Sequence, residues 1–161
     1  MRIIVFSDSH GDVDTMVCAV HSENPGIMIH LGDHSSDALK LKNIFQNIPL
    51  YFVTGNNDYV FGNENEKLID FDGVKVFISH GHKYHVKSGY MSILYKGLGI
   101  GADIVLFGHT HNPYIGGADG VRLMNPGTVS RKNFYSLRST YGIININGSE
   151  IGLEIKETGK I

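Results

Sequence analysis

Apolar runs broken by Gly, Asp, Asn and His divide the chain into short segments. Residues 2–7, Arg-Ile-Ile-Val-Phe-Ser, are rich in β-branched side chains and read as a buried strand. Gly11 breaks that run, and a helix follows to about Glu23, capped by Asp12 or Asp14. Asn24-Pro25-Gly26 is a turn, and residues 27–31 form a second strand. A second helix is predicted over residues 37–45 with Ser35 or Ser36 as its cap, and a third strand over residues 50–53. This β-α-β-α-β order, with unbroken apolar strands, predicts a parallel sheet covered by helices.

The pattern then changes to hairpins. Residues 67–71 and 74–79 flank Asp72-Gly73, a strong two-residue turn signal. Residues 114–117 and 121–124 flank Ala118-Asp119-Gly120, and residues 140–146 and 150–156 flank Asn147-Gly148-Ser149. Between the first two hairpins lie a helix over residues 88–100, its end blurred by Gly97, Gly99 and Gly101, and a buried strand over residues 104–107. The expectation is an α/β sandwich of two sheets with helices outside, as one domain over residues 1–161.

Composition narrows the function. A net charge of −2 gives no basic field to hold nucleic acid or an anionic membrane. No apolar stretch approaches the roughly 18 residues of a membrane span. The first residues turn acidic too soon for a signal peptide, so the expected compartment is the cytoplasm. Cys18 is the only cysteine, which excludes an intramolecular disulfide and a thiolate-rich metal site; it reads as a small core residue of the first helix.

Histidine is the unusual component. His80, His82, His85, His109 and His111 fall in one stretch, and His10 follows Ser7-Asp8-Ser9. Such clusters mark either a pH-sensitive surface or metal ligands. Their positions favour ligands. Predicted strands end in Ser7-Asp8-Ser9-His10, Gly32-Asp33-His34, Gly55-Asn56-Asn57-Asp58, Ser79-His80-Gly81-His82 and Gly108-His109-Thr110-His111. In α/β sheets, ligands bind in the crevice beyond the carboxyl ends of the strands. Asp8, His10, Asp33, Asn56, His80, His109 and His111 offer oxygen and imidazole donors, a mix that suits Mn²⁺, Fe²⁺, Zn²⁺ or Ni²⁺ better than Mg²⁺ or Ca²⁺. They outnumber the four ligands of a structural zinc and suit two ions sharing a carboxylate, the arrangement that activates water for phosphoryl displacement. His21 and His30 read as structural. His34 reads as a solvated loop residue or one that lines the pocket, His85 equally as either, and Tyr59, Tyr84, Tyr90 and Tyr95 either stack a base or pack.

These blocks, in this order, resemble the calcineurin-like metallophosphoesterase superfamily. Together with Asn125-Pro126-Gly127-Thr128 and the short length, they most resemble its small bacterial and archaeal phosphodiesterase branch. The resemblance implies a four-layer α-β-β-α sandwich of two mixed β-sheets flanked by helices. It implies that Asp8, His10, Asp33 and His111 hold one divalent ion and that Asp33, Asn56, His80 and His109 hold the second, with Asp33 bridging and a hydroxide between the ions as nucleophile. Mn²⁺ is the leading expectation, with Ni²⁺, Zn²⁺, Fe²⁺ and Mg²⁺ as alternatives. Asp58 would orient a ligand. A homo-oligomer would be typical.

One position departs from the common pattern of the superfamily. Asn57 stands where many members carry a His that contacts substrate and protonates the leaving oxygen, and an amide cannot release a proton at neutral pH. His82 is the replacement candidate, Asn57 keeps a substrate contact, and Arg131 with Lys132 would clamp a phosphate oxygen. The expected substrate is a small or nucleotide-like phosphodiester, with no membrane and no stable nucleic-acid complex. A phosphomonoesterase of a small metabolite is the alternative. So is a protein-binding scaffold of the same fold, as in a related retromer subunit.

Overall fold

The computed structural model describes residues 1–58, 64–131 and 138–159. Tyr59 and Lys132, named above, lie outside the described residues. Among the described residues no helix is long and apolar enough to cross a membrane.

In chain order the elements are β1 (Arg2–Phe6), α1 (Val13–Glu23), β2 (Ile27–His30), α2 (Ser35–Ile44), β3 (Leu50–Phe52), β4 (Glu66–Phe71), β5 (Val74–Ser79), α3 (Met91–Gly99), β6 (Ile104–Leu106), β7 (Tyr114–Ala118), β8 (Val121–Asn125), β9 (Thr140–Asn147) and β10 (Glu150–Glu157), with a 3-10 turn at His82–Tyr84. One sheet has the order β10-β9-β1-β2-β3 and the other β4-β5-β6-β8-β7. In the first, β1, β2 and β3 are parallel and β9 and β10 antiparallel. In the second, β5, β6 and β8 are parallel and β4 and β7 antiparallel.

Alternation of side chains across the pleat builds the layers. Ile3 and Val5 face the other sheet and pack with Val76, Ile78, Ile104 and Leu106. Ile4 and Phe6 face outward and pack with Met16, Val20 and Leu41 of α1 and α2. Across the molecule Phe77, Val105 and Leu123 pack under Ile93 and Leu94 of α3. The central strands are therefore apolar on both faces. The layers are α-β-β-α, and both sheets are mixed, as the sequence resemblance implies.

Several local expectations change. The cap of α1 is Asp12, whose carboxylate accepts the Thr15 N–H at 3.3 Å. Helix α2 is capped by neither Ser35 nor Ser36. It begins two residues early, behind a left-handed His34, and its Ser35 N–H donates to Asp58 Oδ1 at 2.7 Å. The partner is remote in sequence, which is why a local capping rule misses it. Helix α3 starts at Met91, shorter than expected. Cys18 is exposed, because the buried face of α1 is Thr15, Met16, Ala19 and Val20.

Helix α3 lies close to its sheet because Gly97 lacks a side chain. A Cβ there would sit 2.5 Å from Val105 Cγ2. Val105 is stiff and fully buried, so the helix would have to move. Alanine's better helix propensity offsets about 1 kcal/mol. We expect Gly97→Ala to lower stability by a net of about 1–2 kcal/mol in urea unfolding. An unchanged midpoint would show that α3 is free to shift.

Candidate metal centre

The carboxyl ends of β1, β2, β5 and β6 meet at the seam between the sheets. Asp8 lies deepest, with no solvent exposure. Its Oδ2 accepts from Ser7 Oγ at 2.5 Å and from the His109 N–H at 3.1 Å. Its Oδ1 is buried and no hydrogen bond satisfies it, although His111 Nε2 lies 3.1 Å away and His80 Nε2 4.0 Å away. Burial pushes this carboxyl up, but His111, His80 and Ser7 outweigh it and hold the group below its ordinary value.

Around Asp8 the donors face one another. One donor atom each from Asp8, His10, Asp33 and His111 falls within a span of 4.8 Å. His10 Nε2 and His111 Nε2 are 3.4 Å apart. On the other side of Asp33, His80 Nε2 is 3.4 Å from Asp33 Oδ1 and 3.2 Å from His109 Nδ1. The His80 tautomer follows from its surroundings: Nδ1 lies 2.8 Å from the Leu31 carbonyl, which can only accept, so Nδ1 carries the proton and Nε2 presents a lone pair to the cluster. Burial is the main cause that lowers the pKa of His10 and that of His109, the latter to about 4, so both are neutral ligands-in-waiting at neutral pH.

The residues fit a divalent cation. An unsatisfied buried carboxylate oxygen and converging imidazole nitrogens, with no thiolate, are the donor set of a first-row divalent metal. Backbone geometry points the same way. Among the described residues ten other than glycine have positive φ, and six of them, Asp8, His10, Asp33, His34, His109 and His111, are at this site. Left-handed backbone in non-glycine residues concentrates where function requires it. Two glycines allow the close approach: a Cβ on Gly55 would lie 2.1 Å from Asp33 Oδ1, and one on Gly108 would lie 1.9 Å from Ser7 Oγ.

The remaining predicted residues divide. Asn57 turns inward: its N–H donates to Asp33 Oδ1 at 3.1 Å and its Nδ2 to Asp33 Oδ2 at 2.7 Å. Its amide is therefore engaged with a carboxylate rather than held open. Asn56 is exposed, and no side-chain hydrogen bond ties it to other described residues. Asp58 makes no hydrogen bond to a proposed ligand among the described residues; it holds Ser35 N–H and Gly55 N–H, at 2.7 and 2.8 Å. The His82 ring lies 5.4 Å from that of His80 and 6.1 Å from that of His109, with a buried Nδ1 that has no hydrogen-bond partner. Arg131 departs from expectation. Its Nε donates to Thr158 Oγ1 at 3.3 Å, beside a cavity of about 290 Å³ lined also by Thr15, Cys18 and Tyr141, so the guanidinium turns toward the end of β10 and not toward the histidines. His34 is exposed, with its ring 5.1 Å from that of His10; His85 is exposed; Tyr84 and Tyr90 pack on the α3 side, whereas Tyr95 is exposed.

Sequence reasoning missed the supports. Asn125 Nδ2 donates to Gly108 O and to Thr110 Oγ1, and Thr128 Oγ1 donates to the Asp8 carbonyl at 2.8 Å. The Asn-Pro-Gly-Thr turn after β8 is thus a bracket that holds the Asp8 loop and the loop of residues 108–110. The sequence marked this turn as part of the family's motif set, but not as a support for the Asp8 loop.

The chain belongs to the calcineurin-like phosphoesterase superfamily: that domain matches residues 1–149. It is 26% identical over 153 residues, 93% of this chain and 92% of the relative, to a probable metallophosphoesterase of Mycoplasma pneumoniae. It is 30% identical over 147 residues, 79% of this chain and 83% of the relative, to a protein of Methanocaldococcus jannaschii named as a phosphodiesterase. Among solved structures, a predicted phosphoesterase from Streptococcus pneumoniae superposes with a TM-score of 0.80 at 24% identity, covering 98% of this chain and 89% of that one, which shows the same fold. Membership makes the chain a metal-dependent phosphoester hydrolase by family.

Behind the cluster, His30 is fully buried, and burial lowers its pKa to about 4 against the partial opposition of Asp8, Asp37 and Asp58. Unfolded, it titrates near 6.5. Between those values the unfolded chain binds the extra proton. The contribution is therefore complete above pH 6.5 and is lost as pH falls toward 4, by up to about 1.4 kcal/mol per pH unit. We expect the urea midpoint of the metal-stripped protein to fall more steeply from pH 7 to 5 in the wild type than in His30→Gln. Equal slopes would show that His30 does not enter the folded state neutral.

Proposed function

We propose that the protein is a dinuclear-metal phosphodiesterase acting on a small or nucleotide-like diester. The observation that carries this reading is the position of Asp33, which belongs to a donor set with Asp8, His10 and His111 and also lies 3.4 Å from His80 Nε2, next to His109. Two such sets on either side of one carboxylate correspond to two ions with a shared ligand. The protein named as a phosphodiesterase among its relatives supports the choice of ester.

Bound divalent ions supply a more acidic water and offset charge on phosphate oxygens. The chain supplies the rest. Asp8 and Asp33 bring negative charge into a dry seam, Ser7 and Asn57 fix the orientation of the two carboxylates, and the Leu31 carbonyl fixes the His80 lone pair. We assign Asn56, exposed beside the Gly55 turn, to the second ion. Asp58 positions Gly55 and Asn57 by tying their loop to α2. Asn57 supplies no proton, so the leaving oxygen must depart with little help or accept a hydrogen bond from His82. That favours diesters with acidic leaving groups and disfavours phosphoprotein substrates.

The test is hydrolysis of an activated aryl phosphodiester and the matching monoester by metal-stripped protein, with and without Mn²⁺. We expect Mn²⁺-dependent turnover that prefers the diester and falls to background in Asp33→Asn. A faster monoester would establish the phosphatase alternative. No turnover with Mn²⁺, Ni²⁺, Zn²⁺ or Mg²⁺ would leave a binding module of this fold.

A further inference from the structure

His30 occupies an odd place. It alternates with Met28 on β2 and so faces the apolar layer between sheet and helices, fully buried. A buried imidazole there is costly unless it is fully hydrogen-bonded. Both of its nitrogens are engaged. The Gly32 N–H donates to Nδ1 at 3.2 Å, so Nδ1 is an acceptor and the proton sits on Nε2. Nε2 is 3.1 Å from Ser9 Oγ and donates to it. The hydroxyl then points its own proton at Asp37 Oδ2, 2.9 Å away, in preference to the Asp33 carbonyl at 3.5 Å, because the carboxylate is charged and closer. The Gly11 N–H donates to the same Oδ2 at 2.7 Å, and Lys40 holds Oδ1 at 3.0 Å. Burial pushes Asp37 up, but Lys40, Gly11 and Ser9 outweigh it and keep it ionised.

The chain of bonds has one direction, from Gly32 through His30 and Ser9 to Asp37. Its two ends are attached to backbone beside the metal donors: Gly32 precedes Asp33, Ser9 lies between Asp8 and His10, and Gly11 follows His10. Asp8, His10 and Asp33 all hold left-handed backbone, which reverts unless something restrains it. No hydrogen bond in this chain goes to a proposed donor side chain.

We propose that His30, Ser9 and Asp37 are positioning residues, a polarised relay that fixes the β1 loop against the β2 loop and thereby sets the affinity of the Asp8–His10–Asp33–His111 cluster for its divalent ion. The inference rests on the metal-binding part of the function proposed above. It assigns Asp37, at the third position of α2, a task that its place in a helix conceals.

The experiment is Mn²⁺ titration of metal-stripped protein at pH 7.5, by calorimetry, for the wild type, Ser9→Ala, Asp37→Ala and Asp37→Asn, with thermal unfolding of each metal-free protein alongside. We expect affinity for one Mn²⁺ to weaken about ten- to hundred-fold in Ser9→Ala and Asp37→Ala. Asp37→Asn keeps an oxygen for the Gly11 N–H and should recover part of the loss; its near-identical shape also serves if Asp37→Ala does not fold. Variants that melt earlier yet bind Mn²⁺ as the wild type does would overturn the relay and leave the proposed function standing. A wild type that binds no Mn²⁺, Ni²⁺ or Zn²⁺ would overturn both.

Discussion

A carboxylate sealed from water governs this structure. Asp8 has no exposure, and one of its oxygens finds no hydrogen bond. Isolated burial of such a charge costs several kcal/mol even after relaxation, so the chain must either neutralise it or surround it with compensating groups. It does the second. Ser7 and the His109 N–H satisfy Oδ2, while Thr128 takes the backbone carbonyl of the same residue. His111 and His80 approach Oδ1 without completing it. The residue comes from one sheet and the His109 N–H from the other, so the carboxylate also joins the two halves of the molecule. A cation is the partner that this half-satisfied oxygen fits.

The compensation is unequal on the two sides of Asp33. Behind the Asp8 side lies the chain of His30, Ser9 and Asp37. The His80 side has a fixed tautomer and a fully buried ring, but Asn56 is exposed. Rigid support makes a ligand set selective and tight, whereas an exposed one exchanges more readily. The support among the described residues is therefore densest behind the β1 loop.

Much of this was legible in the sequence, for physical reasons that also mark its limits. Strands were readable because every central strand is apolar on both faces, and the turn at Asp72-Gly73 because both residues take positive φ, as a tight hairpin needs. The ligand-bearing loops were readable because Asp and His recur after each strand. Interactions between segments were not. The α2 cap comes from Asp58, 23 residues away. Asn57 was read as a substrate contact from its place in a motif, but its side chain bends onto Asp33. Arg131 was read as a phosphate clamp from its charge, and a neighbouring Thr158 at the far end of the chain draws it elsewhere. Cys18 was placed in the core from its residue type, although helical phase turns it outward. His30 was recognised as structural without its partners. Residue type and spacing identify what can bind; they do not tell which side chain turns which way.

The split of the site between two sheets has a consequence for how it can change. Asp8, His10 and Asp33 follow strands of one sheet, and His80, His109 and His111 follow strands of the other. Their separation is set by the apolar layer between the sheets, where Ile3, Val5 and Leu31 meet Ile78 and Leu106. Interiors at crystal-like density transmit a change of one methylene as a shift of the backbone around it. Side chains in that layer therefore tune the distance between donors they never touch, while the outer layers under α1 and α3 are insulated from it by a sheet. Any ion that bridges the seam works in the opposite direction, adding its binding energy to the packing of one sheet on the other. Core and site are in this sense one object: the inner layer fixes where the donors stand, and a cation held between them would draw the inner layer shut.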